Sequence, residues 1–184
     1  MIRTCRRLLL LLVLSISIGG ILFPASPAQA IDPVKIVLPA VSDRSRYNDP
    51  NLNASLLNQL SSQFRFPKYE ILSAPALKNS LDQAALEKLV AEKSADGAVA
   101  LEISHLRNFT YYLREETIEE TDITLTLAYF DKKTGRFGRF KAVRSATEFA
   151  GIYSGPLPLA QEATEELLNR LDAIFPRQFP GPRY

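Results

Sequence analysis

Few side chains in this chain have chemistry to offer. His105 is the only imidazole, and with Ser42, Asp43 and Ser73 it forms the one set from which a Ser, His, Asp hydrolase could be built. Such a site would lie near the carboxyl ends of parallel strands, where α/β sheets bind ligands. A hydrolase nucleophile of this kind sits on a Gly-x-Ser-x-Gly elbow. The nearest approach, Gly151-Ile152-Tyr153-Ser154-Gly155, carries its Ser one place too late. A hydrolase using His105 is therefore the alternative reading, and a strand His at the edge of the core is the plain one.

Metal chemistry has no better footing. Cys5 is the only thiol and lies in the leader described below, so carboxylates remain, which suit calcium or magnesium. Glu115, Glu116, Glu119, Glu120 and Asp122 cluster, without the Asp/Asn alternation and Gly of a calcium loop, and read as a solvated charged loop. No cofactor is implied. Asp131-Lys132-Lys133-Thr134-Gly135 is turn chemistry.

Contact chemistry has more residues to draw on. Phe109, Tyr111 and Tyr112, followed by Leu113 and Arg114, offer aromatic rings of the kind that dominate protein interfaces. Lys132, Lys133 and Arg136 open a basic run that continues through Arg139, Lys141 and Arg144. That run is expected to pair with the acidic loop across a hairpin, or to meet an anionic partner or lipid surface. Phe109, Tyr111, Tyr112, Arg114, Lys132, Lys133 and Arg136 are the expected binding residues. The partner is an envelope protein or a second copy of the chain.

The elements that must position these residues follow a leader. Arg3, Arg6 and Arg7 precede an uncharged run from Leu8 to Phe23, and Ala28-Gln29-Ala30 then places small residues before a cut. This is the pattern of a secretory signal peptide, with Ala28 and Ala30 at the cleavage signal and an exported chain from Ile31. An uncleaved anchor is the alternative, giving a membrane-tethered periplasmic protein. Without the leader the charge is 19 basic against 20 acidic residues, which gives no support to nucleic-acid binding.

One domain is expected over residues 31–176, with an extended Pro-rich tail over 177–184. Val34 to Leu38 read as a buried strand, and residues 42–48 as a polar loop. Asp49-Pro50 is an N-cap and first-turn proline for a helix whose Leu52, Leu56, Leu60 and Phe64 share one face. Lys68 to Leu72 form a second strand. Ser80 and Gln83 form a capping box for a helix that ends near Ala95, where Asp96-Gly97 would supply a left-handed turn. Val99, Leu101, Ile103 and His105 then face one way on a third strand parallel to the first two, continuing through Phe109 to Tyr112. Residues 113–121 read as a turn or protruding loop, Asp122 to Tyr129 as the clearest strand, and Phe140 to Phe149 as its partner. A third helix runs from Leu159 to Phe175. The expected fold is α/β, a mixed sheet of about five strands with three helices in the order β-α-β-α-β-β-β-α.

Four stretches carry a family likeness: Val34-Lys35-Ile36-Val37-Leu38-Pro39, Tyr69-Glu70-Ile71-Leu72, Ala95-Asp96-Gly97-Ala98-Val99-Ala100-Leu101, and Tyr129-Phe130-Asp131-Lys132-Lys133-Thr134-Gly135. Together they resemble the small α/β domain shared by the amino-terminal domain of TolB and the curli secretion-channel subunits. Those families have a first strand ending in Pro, an Ala-Asp turn into the third strand and an Asp-to-Gly turn in the hairpin. The chain departs from them in lacking a TolB propeller, a lipidated Cys at the end of its apolar core and membrane-spanning hairpins. The resemblance implies a stand-alone envelope domain for assembly or protein contact.

Overall fold

The structure is a computed structural model in which residues 32–45, 47–78, 81–150 and 155–178 are described. The leader with Ala28 and Ala30, the near-elbow at 151–154 and most of the tail lie outside the described residues. Nine elements follow in order: β1 (Val34–Pro39), β2 (Ser42–Asp43), α1 (Pro50–Ser61), β3 (Tyr69–Ala74), α2 (Gln83–Glu92), β4 (Gly97–Leu113), β5 (Glu116–Asp131), β6 (Arg136–Phe149) and α3 (Pro156–Leu171). The fold is α/β with a six-stranded mixed sheet. Its order is β3-β1-β4-β5-β6, with β2 beside β4. As the helical crossovers require, β1 is parallel to both β3 and β4, and β4, β5 and β6 form an antiparallel meander.

The sixth strand, β2, occupies part of the expected polar loop. It extends the line of β1 along β4, with Ser42 opposite Glu102 and Asp43 opposite Ile103. Two residues are too few to show a period, so sequence pattern had no purchase on it.

Alternation sorts the sheet into two covered faces. Ile36, Val99, Leu101, Ile103, Ile123, Leu125 and Leu127 pack under Leu52, Leu56 and Leu60 of α1 and Ala163, Leu167 and Leu171 of α3. On the opposite face Val37, Ala98, Ala100, Ala128 and Phe130 meet Leu86, Leu89 and Val90 of α2. The alanines there let the single helix approach closely. Cover is unequal as a result: α3 shields its face as far as Thr121, which is 2% exposed, whereas the α2 face opens soon after Ala100.

Both expected cap regions are instructive. Asp49 caps α1 as the sequence suggests, accepting from the amides of Asn51 at 2.8 Å and Leu52 at 3.3 Å, with Pro50 in the first turn. At α2 the N-cap is Asp82, whose carboxylate accepts from Ala85 N at 2.8 Å, so the Ser80 capping box is displaced by two residues; Ser80 itself lies outside the described residues.

The C-terminus of α2 corrects a second expectation. Gly97 is not in the left-handed region; Ser94 is, at φ +51. Ser94 N donates to Ala91 O at 3.2 Å and Ala95 N to Val90 O at 3.0 Å, the paired bonds of a Schellman motif. A side chain in this conformation carries a steric cost that Gly lacks. Replacing Ser94 by Gly is expected to raise stability by about 0.5–1 kcal/mol in urea unfolding, because Gly carries no side-chain penalty at this φ.

A bulge in β4 decides where His105 points. Ile103 pairs with Leu125, but His105 pairs with Thr124 and Leu106 with Ile123, leaving Ser104 as the extra residue. Leu106 therefore takes the inner position and joins the α1/α3 core. His105 falls on the opposite face from Val99, Leu101 and Ile103, against the expected alternation, because one inserted residue reverses a period of two.

The expected turn or loop at 113–121 is a turn of two residues, and the rest of it is strand. Leu113 pairs with Glu116, and only Arg114 and Glu115 turn the chain, both with positive φ (+49 and +70). Two left-handed residues are the geometry of a primed hairpin turn, made here without the Asn or Gly that signals it. Glu115 and Glu116 stand in solvent, while Glu119 and Glu120 are half-buried with Asn108 and Arg107 as partners, so their charge did not preclude strand structure.

Candidate functional site

The far halves of β4, β5 and β6 reach past α2 and leave one sheet face uncovered. Pairing places His105, Arg107, Phe109 and Tyr111 of β4 on it, with Ile118, Glu120, Asp122 and Thr124 of β5 and Val143, Ser145, Thr147 and Phe149 of β6. Tyr111, Ile118 and Phe149 stand directly opposite one another across all three strands. Phe109 is 50% exposed, Val143 56% and Phe149 68%. An apolar band therefore crosses an open face, as large exposed apolar clusters do at contact sites.

Arg107, Glu120, Asp122 and Ser145 within that band are bonded to one another. Arg107 Nη2 lies 3.1 Å from Asp122 Oδ2 and 3.4 Å from Glu120 Oε1, and its guanidinium sits 4.8 Å from the centre of the Phe109 ring. Ser145 donates its hydroxyl to Asp122. A partner would meet a surface whose charges are already paired and whose Phe109 ring is held, which lowers the ordering cost of association.

The expected binding residues divide between two ends of the sheet. Phe109 and Tyr111 lie on the open face. Tyr112, paired with Thr117, points to the other side and is 80% exposed, while Arg114 turns the tip. Lys132 and Lys133 lie in the β5–β6 turn and Arg136 starts β6. These two groups are separated by the length of β5, about 50 Å at the usual rise of a strand, so they do not form one surface. Ile118, Val143 and Phe149 were missed because their membership depends on hairpin register.

Among the described residues the basic run makes no cross-hairpin ion pair with Glu115, Glu116, Glu120 or Asp122. Register sets Glu116 to Asp122 beside the far end of β6, away from Arg136 to Lys141. Arg144 instead reaches α3, with Glu166 at 2.7 Å and Glu162 at 4.0 Å. Lys132, Lys133 and Arg136 make no ion pair among the described residues. Asp131 accepts from Lys133 N at 3.0 Å and from the Thr134 hydroxyl at 2.7 Å, which makes the expected turn.

The hydrolase set is not assembled. Asp43 accepts from Ser45 N, Ser45 Oγ and Asn48 N, Ser42 donates to Leu77 O, and Ser73 lies on β3 beyond β1. None of these side chains bonds to His105. Among the described residues no group of three or more His, Cys, Asp or Glu side chains is arranged to hold a metal ion. None of their helices is long and apolar enough to cross a membrane.

A cleft of about 710 Å³ lies at the other end of the sheet. Val34, Tyr69, Ile174 and Phe175 supply its apolar lining, and Asp32, Asp96, Asp131, Lys132 and Lys133 its polar groups. Tyr69 donates to Pro176 O at 2.9 Å. Burial, with the nearby negative charge of Asp172, pushes its pKa up to about 12.

No family model and no curated protein matches the sequence. Solved structures do resemble it at low identity. A PelC dodecamer from Paraburkholderia phytofirmans is 13% identical, with 77% of this chain and 90% of that chain covered at a TM-score of 0.46. Lipoprotein GNA1162 from Neisseria meningitidis is 16% identical over 77% and 99%, at 0.42. A hypothetical protein from Chlamydia trachomatis is 13% identical over 77% and 96%, at 0.45. These are different chains from the TolB and curli families suggested by the sequence.

Proposed function

We propose that this protein is an exported, non-enzymatic envelope module that makes protein contacts through the open face of its β4–β6 arm. The observation that carries this is the apolar row Tyr111, Ile118 and Phe149, flanked by Phe109 and Val143, on a sheet face beyond the reach of α2. Export follows from the basic head, apolar run and Ala28-Gln29-Ala30 of the leader. A cleavage product beginning at Ile31, found by mass spectrometry, is expected.

The contact is tested by changing Phe109 and Tyr111 together to Ser. Both rings are well exposed, so the circular dichroism spectrum and melting temperature should stay close to wild type. Self-association, or photo-crosslinking of an envelope protein from position 149, should fall roughly tenfold or more, as for loss of a central aromatic anchor. Tyr112→Ser, on the opposite side, should leave the open-face crosslink intact. Equal crosslinking by the Phe109/Tyr111 variant would refute the assignment of this face.

A further inference from the structure

The tip of the arm and the cleft at the opposite end of the sheet each combine apolar side chains with charged groups of both signs. At the tip, Tyr112 and Leu113 are 80% and 53% exposed. They stand immediately before Arg114, Glu115 and Glu116, and neither glutamate makes an ion pair among the described residues. The cleft has an apolar lining of Val34, Tyr69, Ile174 and Phe175, and Lys132 and Lys133 flank it. Its volume lies in the range of sites that enclose a compact ligand. Of its carboxylates, Asp96 accepts from Lys35 N at 2.8 Å and Asp131 from its own turn. Asp32 remains to face a cation.

We infer that the cleft of one molecule receives the arm tip of a second copy. Tyr112 and Leu113 enter the apolar part, Glu115 and Glu116 meet Lys132 and Lys133, and Arg114 meets Asp32. This rests on the reading of the arm as a contact element and names both the partner and the surface on it. The two complementary patches lie at opposite ends of β5, so a molecule cannot fill its own cleft. The contact is heterologous: each copy presents a tip to the next, and the series closes as a ring or continues as a filament. Charge pairs at such a rim steer the encounter and fix its register.

Charge reversal at each end tests this on the exported protein. Glu115→Lys with Glu116→Lys makes one variant, and Lys132→Glu with Lys133→Glu makes the other; all four side chains are exposed, and circular dichroism checks the fold of each. Sedimentation should show wild-type oligomers that dissociate as salt rises, and each variant should associate at least roughly tenfold more weakly. Mixed in equal amounts, the variants should recover oligomers, because the positive tip of one then meets the negative cleft of the other. A monomeric mixture, or a single variant that assembles like wild type, would overturn the proposal. If Phe109→Ser/Tyr111→Ser abolishes wild-type assembly while charge reversal leaves it unchanged, the open face is the contact and the tip-in-cleft pairing is wrong. A wild type that stays monomeric at all accessible concentrations also overturns the pairing, and leaves the open face to be judged by its crosslink to another envelope protein.

Discussion

Leu125→Ala is expected to destabilise the protein by about 3–4 kcal/mol, in the upper part of the range for a buried leucine. Leu125 has no exposed surface and lies on the central antiparallel strand, between Ile103 of β4 and Ala142 of β6. Helices α1 and α3 cover it. Strand pairing on both sides prevents the backbone from collapsing into the vacated space, so the cavity cost adds to the lost transfer free energy. In urea the midpoint should fall with the slope unchanged, and the melting temperature should drop by about 10 °C. A loss below about 1 kcal/mol would mean that the core above β5 repacks freely.

Gly97→Val should be comparably damaging, by about 3 kcal/mol, and for a steric reason rather than a conformational one. A Cβ at this position would lie 2.9 Å from the Phe130 carbonyl oxygen, 3.0 Å from Phe175 Cζ and 3.2 Å from Ile36 Cδ1. The first neighbour is backbone and cannot rotate away. Gly97 pairs with both Ile36 and Asp131, so displacing it disturbs the joint between the parallel and antiparallel parts of the sheet. Gly135 makes the contrast: it has φ +65 and nothing within 4 Å of an added Cβ, so Gly135→Ala should cost only about 1 kcal/mol. If the two glycine variants had equal effects in calorimetry, crowding at Gly97 would not be the cause.

These two sites show which parts of the fold are readable from sequence. The alternation Ile123, Leu125, Leu127, Tyr129 announces β5 because each residue meets the same apolar layer, and the four-residue spacing of Leu52, Leu56 and Leu60 announces α1 for the same reason. Asp49-Pro50 marks its own helix start through a local hydrogen bond. Gly97 was legible as special, but its reason was not: Phe130 and Phe175 come close to it only after the chain folds. Ser104 carries no mark of a bulge, so its effect on His105 depends on how β4 registers with β5. Arg114 and Glu115 turn the hairpin without the usual residues, and the acidic stretch beyond them was therefore misread as loop.

The candidate surface divides along the same line. Phe109, Tyr111 and Tyr112 stand out by residue type, and sequence alone identifies them as rings in search of a setting. Their separation onto two faces, and the addition of Ile118, Val143 and Phe149, follow from pairing between strands that are distant in sequence. Lys132 and Lys133 were joined to the aromatics because both flank one predicted hairpin. A strand of 16 residues holds them apart.

The outer edge of β6 has a consequence for solubility. As the last strand in the sheet order it exposes a row of backbone donors and acceptors, which can template pairing with another polypeptide. Arg136, Arg139, Lys141 and Arg144 guard its first part with repelling charge, but Ser145-Ala146-Thr147-Glu148-Phe149 has neither basic residue nor proline. The protein is thus protected against edge-to-edge aggregation along half of this strand and exposed to it along the half beside the apolar face, where lysine would be the economical gatekeeper.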